Sequence, residues 1–152
     1  YPDGSVSTYE YDQPYQQLIR KNDRGNITEY AYNDDGAITK LVEAKGTDTE
    51  RITEYTYNAD GGRTMMRLTE HAGTDLELVT QETYDDDGNR TQLLEAAGTA
   101  FERKTDYAYT DGNLTTITKY LDENTTVETT MEYDADGNLS PKALCRNSIV
   151  IV

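Results

Sequence analysis

The chain has 152 residues and a mass of 17.1 kDa, enough for one domain or one repeat array. Fourteen Lys and Arg against 29 Asp and Glu leave a net charge of −15, so an electrostatically held partner is expected to be cationic and nucleic acid is not expected. Leu, Ile, Val and Phe make up only about a sixth of the residues, a share usual for disordered chains, yet 13 tyrosines supply the aromatic content that such chains lack.

In chain order, Tyr1-Pro-Asp-Gly4-Ser-Val6 reads as the end of a tyrosine-glycine unit, and Tyr11-Asp12 opens a degenerate copy with Tyr15 where glycine is expected. Full copies follow at Tyr32-Asn-Asp-Asp-Gly36, Tyr57-Asn-Ala-Asp-Gly61, Tyr84-Asp-Asp-Asp-Gly88, Tyr109-Thr-Asp-Gly112 and Tyr133-Asp-Ala-Asp-Gly137. The six tyrosines are 21, 25, 27, 25 and 24 residues apart, the length of a supersecondary unit rather than a domain. A second glycine recurs between copies, in Glu43-Ala-Lys-Gly46-Thr47, Glu70-His-Ala-Gly73-Thr74 and Glu95-Ala-Ala-Gly98-Thr99, so each unit should hold two turns and two short strands.

The residues before each tyrosine alternate with period two. Val127, Thr129, Met131 and Tyr133 fall on one face, as do Phe101, Arg103, Thr105, Tyr107 and Tyr109, and Tyr30/Tyr32 and Tyr55/Tyr57 should likewise project together. Asp34-Asp35-Gly36 and its equivalents suit a three-residue hairpin loop, a type I turn closed by glycine at positive φ; Asp111-Gly112 suits a two-residue type I′ loop. Gly36, Gly61, Gly88, Gly112 and Gly137 are therefore read as structural turn residues. The partner strands are expected over 38–43, 63–70, 90–95 and 114–121. The fold class that follows is all-β, a meander of about ten to twelve strands, with the repeat array at 1–139 and a non-repeat tail at 140–152.

Tyr84-Asp85-Asp-Asp-Gly88-Asn89-Arg90 and Tyr133-Asp134-Ala-Asp-Gly137-Asn138-Leu139 resemble the signature of the YD-repeat, or Rhs, family, which also includes teneurin-like cell-surface proteins. The resemblance spans about 9–139, with Asn33, Asn58 or Thr110 replacing the aspartate in the looser copies. It implies tandem β-hairpins in a long antiparallel sheet that coils into a shell, and a wall segment or stand-alone module outside the cell or at its surface. Six copies are expected to be too few to close such a shell, and neither the family's core segment nor a variable toxin domain is recognised in these residues, so a complete toxin is not expected.

Little points to catalysis, because nearly every carboxylate is repeated and so serves the repeat. His71 stands where Ala44 and Ala96 stand in sibling copies and is expected to be an exposed turn residue; Cys145 has no nearby histidine to act as a base. The Asp-rich turns lack the ligand spacing of a twelve-residue calcium loop, and neither a metal nor another cofactor is expected. Tyr30, Tyr32, Tyr55, Tyr57, Tyr107 and Tyr109 are expected to form the sheet's interior or, alternatively, a platform for carbohydrate. Ile149, Val150, Ile151 and Val152 end an uncharged, β-prone tail that can cap its own sheet or add to a neighbour's, giving a homo-oligomer or filament by strand addition. No run approaches the roughly 20 apolar residues of a membrane helix, no basic-then-apolar leader opens the sequence, and no membrane insertion is expected. With Tyr rather than Met at position 1, the chain reads as a processed or excised piece.

Overall fold

The computed structural model describes residues 6–13 and 17–140, and the backbone of 146–151. Cys145, Val152 and the partial copy at 1–5 lie outside the described residues. Among these residues there are strands and turns and no helix. By internal contacts the chain divides into two compact units, Tyr1–Val79 and Thr80–Val152.

The first unit contains β1 (Ser7–Tyr11), β2 (Leu18–Asp23), β3 (Asn26–Tyr32), β4 (Ile38–Glu43), β5 (Arg51–Tyr57) and β6 (Arg63–Glu70), each antiparallel to the next. The second contains β7 (Leu78–Tyr84), which begins at the unit boundary, β8 (Arg90–Glu95), β9 (Arg103–Thr110), β10 (Asn113–Tyr120), β11 (Thr125–Thr130) and β12 (Arg146–Ile151), again paired in chain order. The strands expected downstream of the tight turns at 38–43, 63–70 and 90–95 have those bounds, and the one expected at 114–121 spans Asn113–Tyr120. The tail's backbone lies along β11, with Val127 opposite Ile149 and Thr125 opposite Ile151.

Each tight hairpin is built alike. Gly36 N–H donates to the Asn33 carbonyl at 3.0 Å and Asn33 N–H to Ala37 at 2.9 Å, and the same pair of bonds closes 58–62, 85–89 and 134–138. Gly88 has φ +82, and a Cβ there would meet nothing within 4 Å, so backbone conformation rather than space requires glycine. Asp111 and Gly112 both have positive φ (52° and 78°), the type I′ pair.

One feature breaks the simple alternation. Just before Tyr32, Tyr57 and Tyr84 the register slips: Ala31 faces Lys40 but Tyr32 faces Ile38, Thr56 faces Met65 but Tyr57 faces Arg63, and Thr83 faces Gln92 but Tyr84 faces Arg90. The residue left over is Thr39, Thr64 or Thr91, and in the short copy it is Thr115. A β-bulge therefore lies on the strand across from each of these Tyr-X-Tyr steps, interrupting the alternation of the partner strand.

The expected tyrosine-lined interior is absent from both units. No side chain among the described residues is fully buried. In the first unit the cross-strand rows Glu29–Val42–Ile52–Thr69 and Tyr30–Leu41–Thr53–Leu68 occupy opposite faces, so apolar groups are shared between the two sides of an open sheet. Tyr30, Tyr32, Tyr55, Tyr57, Tyr84, Tyr107, Tyr109 and Tyr133 are half-buried for the same reason, and Tyr9, Tyr11 and Tyr120 are exposed.

Candidate functional site

The chemistry of the repeat concentrates at three places: the residue after each repeat tyrosine, the tyrosine phenol, and the wider loop that joins successive hairpins.

The residue after the tyrosine anchors the turn. Asp85 Oδ1 accepts from the N–H of Asp87 at 3.1 Å and of Asn89 at 2.8 Å, and Asp134 does the same for Asp136 and Asn138 at 3.0 and 2.9 Å. Asn58 Oδ1 accepts from Asp60 and Gly62 at 3.1 and 2.7 Å, and Asn33 from Ala37 at 2.8 Å. Asn can replace Asp because the geometry needs an acceptor oxygen, not a charge. Asn89, which donates its side-chain amide to Asp85, holds that carboxyl below the ordinary carboxylate range, and the backbone N–H of Asn138 does so for Asp134.

The phenol reaches back to the hairpin before it. Tyr32 donates to the Leu18 carbonyl at 2.8 Å and Tyr57 to Ile38 at 2.7 Å; in the second unit Tyr109 donates to Arg90 at 3.0 Å and Tyr133 to Leu114 at 2.8 Å. Each acceptor pairs with the repeat tyrosine of its own hairpin, so these four tyrosines clip their hairpins to the previous ones at equivalent atoms, whereas the Tyr84 hydroxyl donates to the Glu82 carboxylate on its own strand. Partial burial raises the Tyr32 and Tyr109 phenols above their usual pKa, so the donor proton is retained at neutral pH.

The sequence marked the glycine of the wide loops but not their closing residues. Gly46, Gly73 and Gly98 N–H groups donate to Glu50, Glu77 and Glu102 at 2.7, 2.8 and 2.8 Å. Thr47, Thr74 and Thr99 hydroxyls donate to the carbonyls of Ala44, His71 and Ala96, residues whose φ values are 51°, 53° and 52°. A recurring Glu-x-x-Gly-Thr-x-x-Glu pattern carried that signal, as the threonine three residues after Gly36, Gly61, Gly88 and Gly112 carried the bulge. His71 shares its siblings' geometry, but it is half-buried and its Nδ1 lies 2.9 Å from the Asp48 carbonyl, an arrangement that selects the Nδ1–H tautomer.

The first tyrosine of each pair has a different environment. Arg63 stacks on Tyr55 at 5.1 Å. At the position equivalent to Tyr55 the next copy has Glu82, which pairs with Arg90 at 2.6 Å; Arg90 also stacks on Tyr107 at 4.6 Å and donates to its hydroxyl at 3.0 Å. A second polar hub lies on β9, where Gln92, Lys104 and Tyr120 approach Asp106 at 2.9, 3.0 and 2.8 Å. Partial burial opposes ionisation of Asp106, but those three partners hold its carboxyl below the usual range.

Tyr30 and Tyr32 line a cleft of about 520 Å³ with Asp12, Gln17, Asp34 and Asp35, between the first two tight turns. Tyr133 lines a similar groove of about 480 Å³ with Asp111 and Asp134. Gly36, Gly61, Gly88, Gly112 and Gly137 close turns, and β12 carries Ile149, Val150 and Ile151 in a strand of the same chain. No group of three or more His, Cys, Asp or Glu poised to hold a metal ion occurs among the described residues. No protein-family model matches the chain, and no curated protein matches it.

Proposed function

We propose that the chain is a structural module of the YD-repeat type: tandem hairpins laid side by side as a segment of a coiled wall, working outside the cell or at its surface. The observation that carries this reading is the tyrosine-to-carbonyl bond made at equivalent atoms by Tyr32 and Tyr57 in the first unit and by Tyr109 and Tyr133 in the second, which ties those hairpins to their predecessors and commits the signature residue to the scaffold. The repeated turn acceptors Asn33, Asn58, Asp85 and Asp134 are likewise engaged by backbone N–H groups of the turns, which supports a scaffold role for the repeat. An open sheet with edges also favours growth by strand addition.

Negative-stain microscopy of the purified chain tests the reading. Filaments, sheets or closed particles are expected, and removal of residues 147–152 should abolish the large species in light scattering while leaving the β circular dichroism intact. Isolated monomers at every concentration would contradict it.

The cleft beside Tyr30 and Tyr32 favours a second reading, a carbohydrate-binding adhesion module, because it joins aromatic surface to several acceptor oxygens. A silent glycan array, together with unchanged tyrosine fluorescence on adding polysaccharide, would remove it.

A further inference from the structure

We propose that Asn26 and Asn124 are attachment sites for N-linked oligosaccharide. The inference rests on the reading of the chain as one that works outside the cell, and it deepens that reading by naming what the surface carries there.

An asparagine two residues before a serine or threonine, with any residue but proline between them, is the acceptor triplet for such glycans. It occurs at Asn26-Ile27-Thr28, Asn89-Arg90-Thr91, Asn113-Leu114-Thr115, Asn124-Thr125-Thr126 and Asn138-Leu139-Ser140. Three of these belong to the tight hairpins. Asn89, Asn113 and Asn138 directly follow a turn glycine, and Thr91 and Thr115 are bulge residues. The side-chain amides of Asn89 and Asn138 donate to Asp85 at 3.1 Å and to Asp134 at 3.4 Å, so a sugar on either would intrude on its own turn.

The repeat does not account for the other two. Asn26 stands six residues before Tyr32, where the equivalent strands begin with Arg51, Leu78 and Arg103. Thr126 stands seven residues before Tyr133, the place of the loop-closing Glu50, Glu77 and Glu102. That connection has thus lost the loop's acceptor and holds an acceptor triplet instead. Both asparagines are exposed: Asn26 opens β3 just after the turn at Arg24 and Gly25, and Asn124 precedes β11 with its backbone N–H bonded to Asp122 at 2.9 Å. A glycan at a strand end leaves the backbone ladders clear. Beside Asn124 it also covers apolar surface, since Leu121 is 63% exposed.

Attachment joins Asn Nδ2 to C1 of the first sugar of a lipid-pyrophosphate-linked oligosaccharide, brought by a membrane-bound transferase. The C1–O bond breaks, the lipid pyrophosphate leaves with its electron pair, and the amide gives up one proton.

Glycopeptide mapping of the full chain secreted from eukaryotic cells tests the proposal. Peptides containing Asn26 and Asn124 should carry sugar that peptide N-glycosidase removes, leaving aspartate at both positions. Thr126→Val should abolish the glycan at Asn124 alone, and Thr126→Ser should keep it. Mapping is done on digested protein, so the wild type decides the sites whether or not a variant folds. An unmodified Asn26 or Asn124 in the secreted wild type, or a glycan on Asn124 that survives Thr126→Val, would overturn the proposal and leave the scaffold reading standing. Glycans at both sites on a chain that shows only monomers in negative stain after enzymatic deglycosylation would overturn the scaffold reading instead.

Discussion

The two units close the same hairpin with different side chains. In the first, the tight turns at 33–37 and 58–62 are anchored by Asn33 and Asn58; in the second, those at 85–89 and 134–138 are anchored by Asp85 and Asp134. The backbone bonds are the same, so what the fold demands at this position is an oxygen that accepts from the N–H four residues ahead. The charge is an addition, and it makes the turns at 85–89 and 134–138 sensitive to acid where those at 33–37 and 58–62, closed by amide oxygens, are not.

The largest expected effect should be common to both units. Gly61→Val and Gly88→Val each force a β-branched residue to φ near +82 and should cost about 2 kcal/mol or more, while Asn89→Ala, which removes only a side-chain contact, should cost much less. Denaturant melts giving equal midpoints for Gly88→Val and Asn89→Ala would refute the turn assignment. A smaller effect is expected at the wide loops, where Glu77→Ala removes the acceptor of the Gly73 N–H and should cost about 0.5–1 kcal/mol, with Glu77→Gln nearly neutral.

Acid should separate the units. Asp85 and Asp134 have folded pKa values below the ordinary one, so their contribution is complete above about pH 4 and is lost as pH falls through the depressed folded values. In an NMR titration the Asn89 and Asn138 amide protons should move through that window, and those of Ala37 and Gly62 should show no comparable movement. The smallest effect is the sharpest. Asp85→Asn should leave neutral-pH stability almost unchanged and remove the acid response of its turn, whereas Asp85→Ala should weaken the turn at all pH values.

Much of this fold was legible because its turns are written in residues with one conformational use. Asp-Gly before a strand, glycine at positive φ and the period of about 24 residues located the hairpins, and the alignment of His71 with Ala44 and Ala96 matched a shared left-handed backbone. The bulges were not legible from alternation, because the extra residue at Thr39, Thr64, Thr91 or Thr115 breaks the period that the reading assumes. From Val127 and Met131 sharing a face with Tyr133, and from the scarcity of other apolar residues, the sequence implies an interior role for the tyrosines. Their role depends on which carbonyl lies within reach on the neighbouring hairpin, a fact of cross-strand register that one strand's sequence does not contain. Glu50, Glu77 and Glu102 were missed because an acceptor four residues from a glycine is inconspicuous in an acidic chain.

The central claim is that the repeat tyrosine acts through its hydroxyl, as a clip between hairpins. Tyr55 and Tyr57 allow it to be tested within one strand, since Tyr57 donates to Ile38 while Tyr55 meets Arg63 through its ring. Equilibrium denaturation of Tyr57→Phe beside Tyr55→Phe measures the difference directly. A loss of about 1 kcal/mol for Tyr57→Phe with almost none for Tyr55→Phe is the predicted result; equal losses, or none in either, would contradict it.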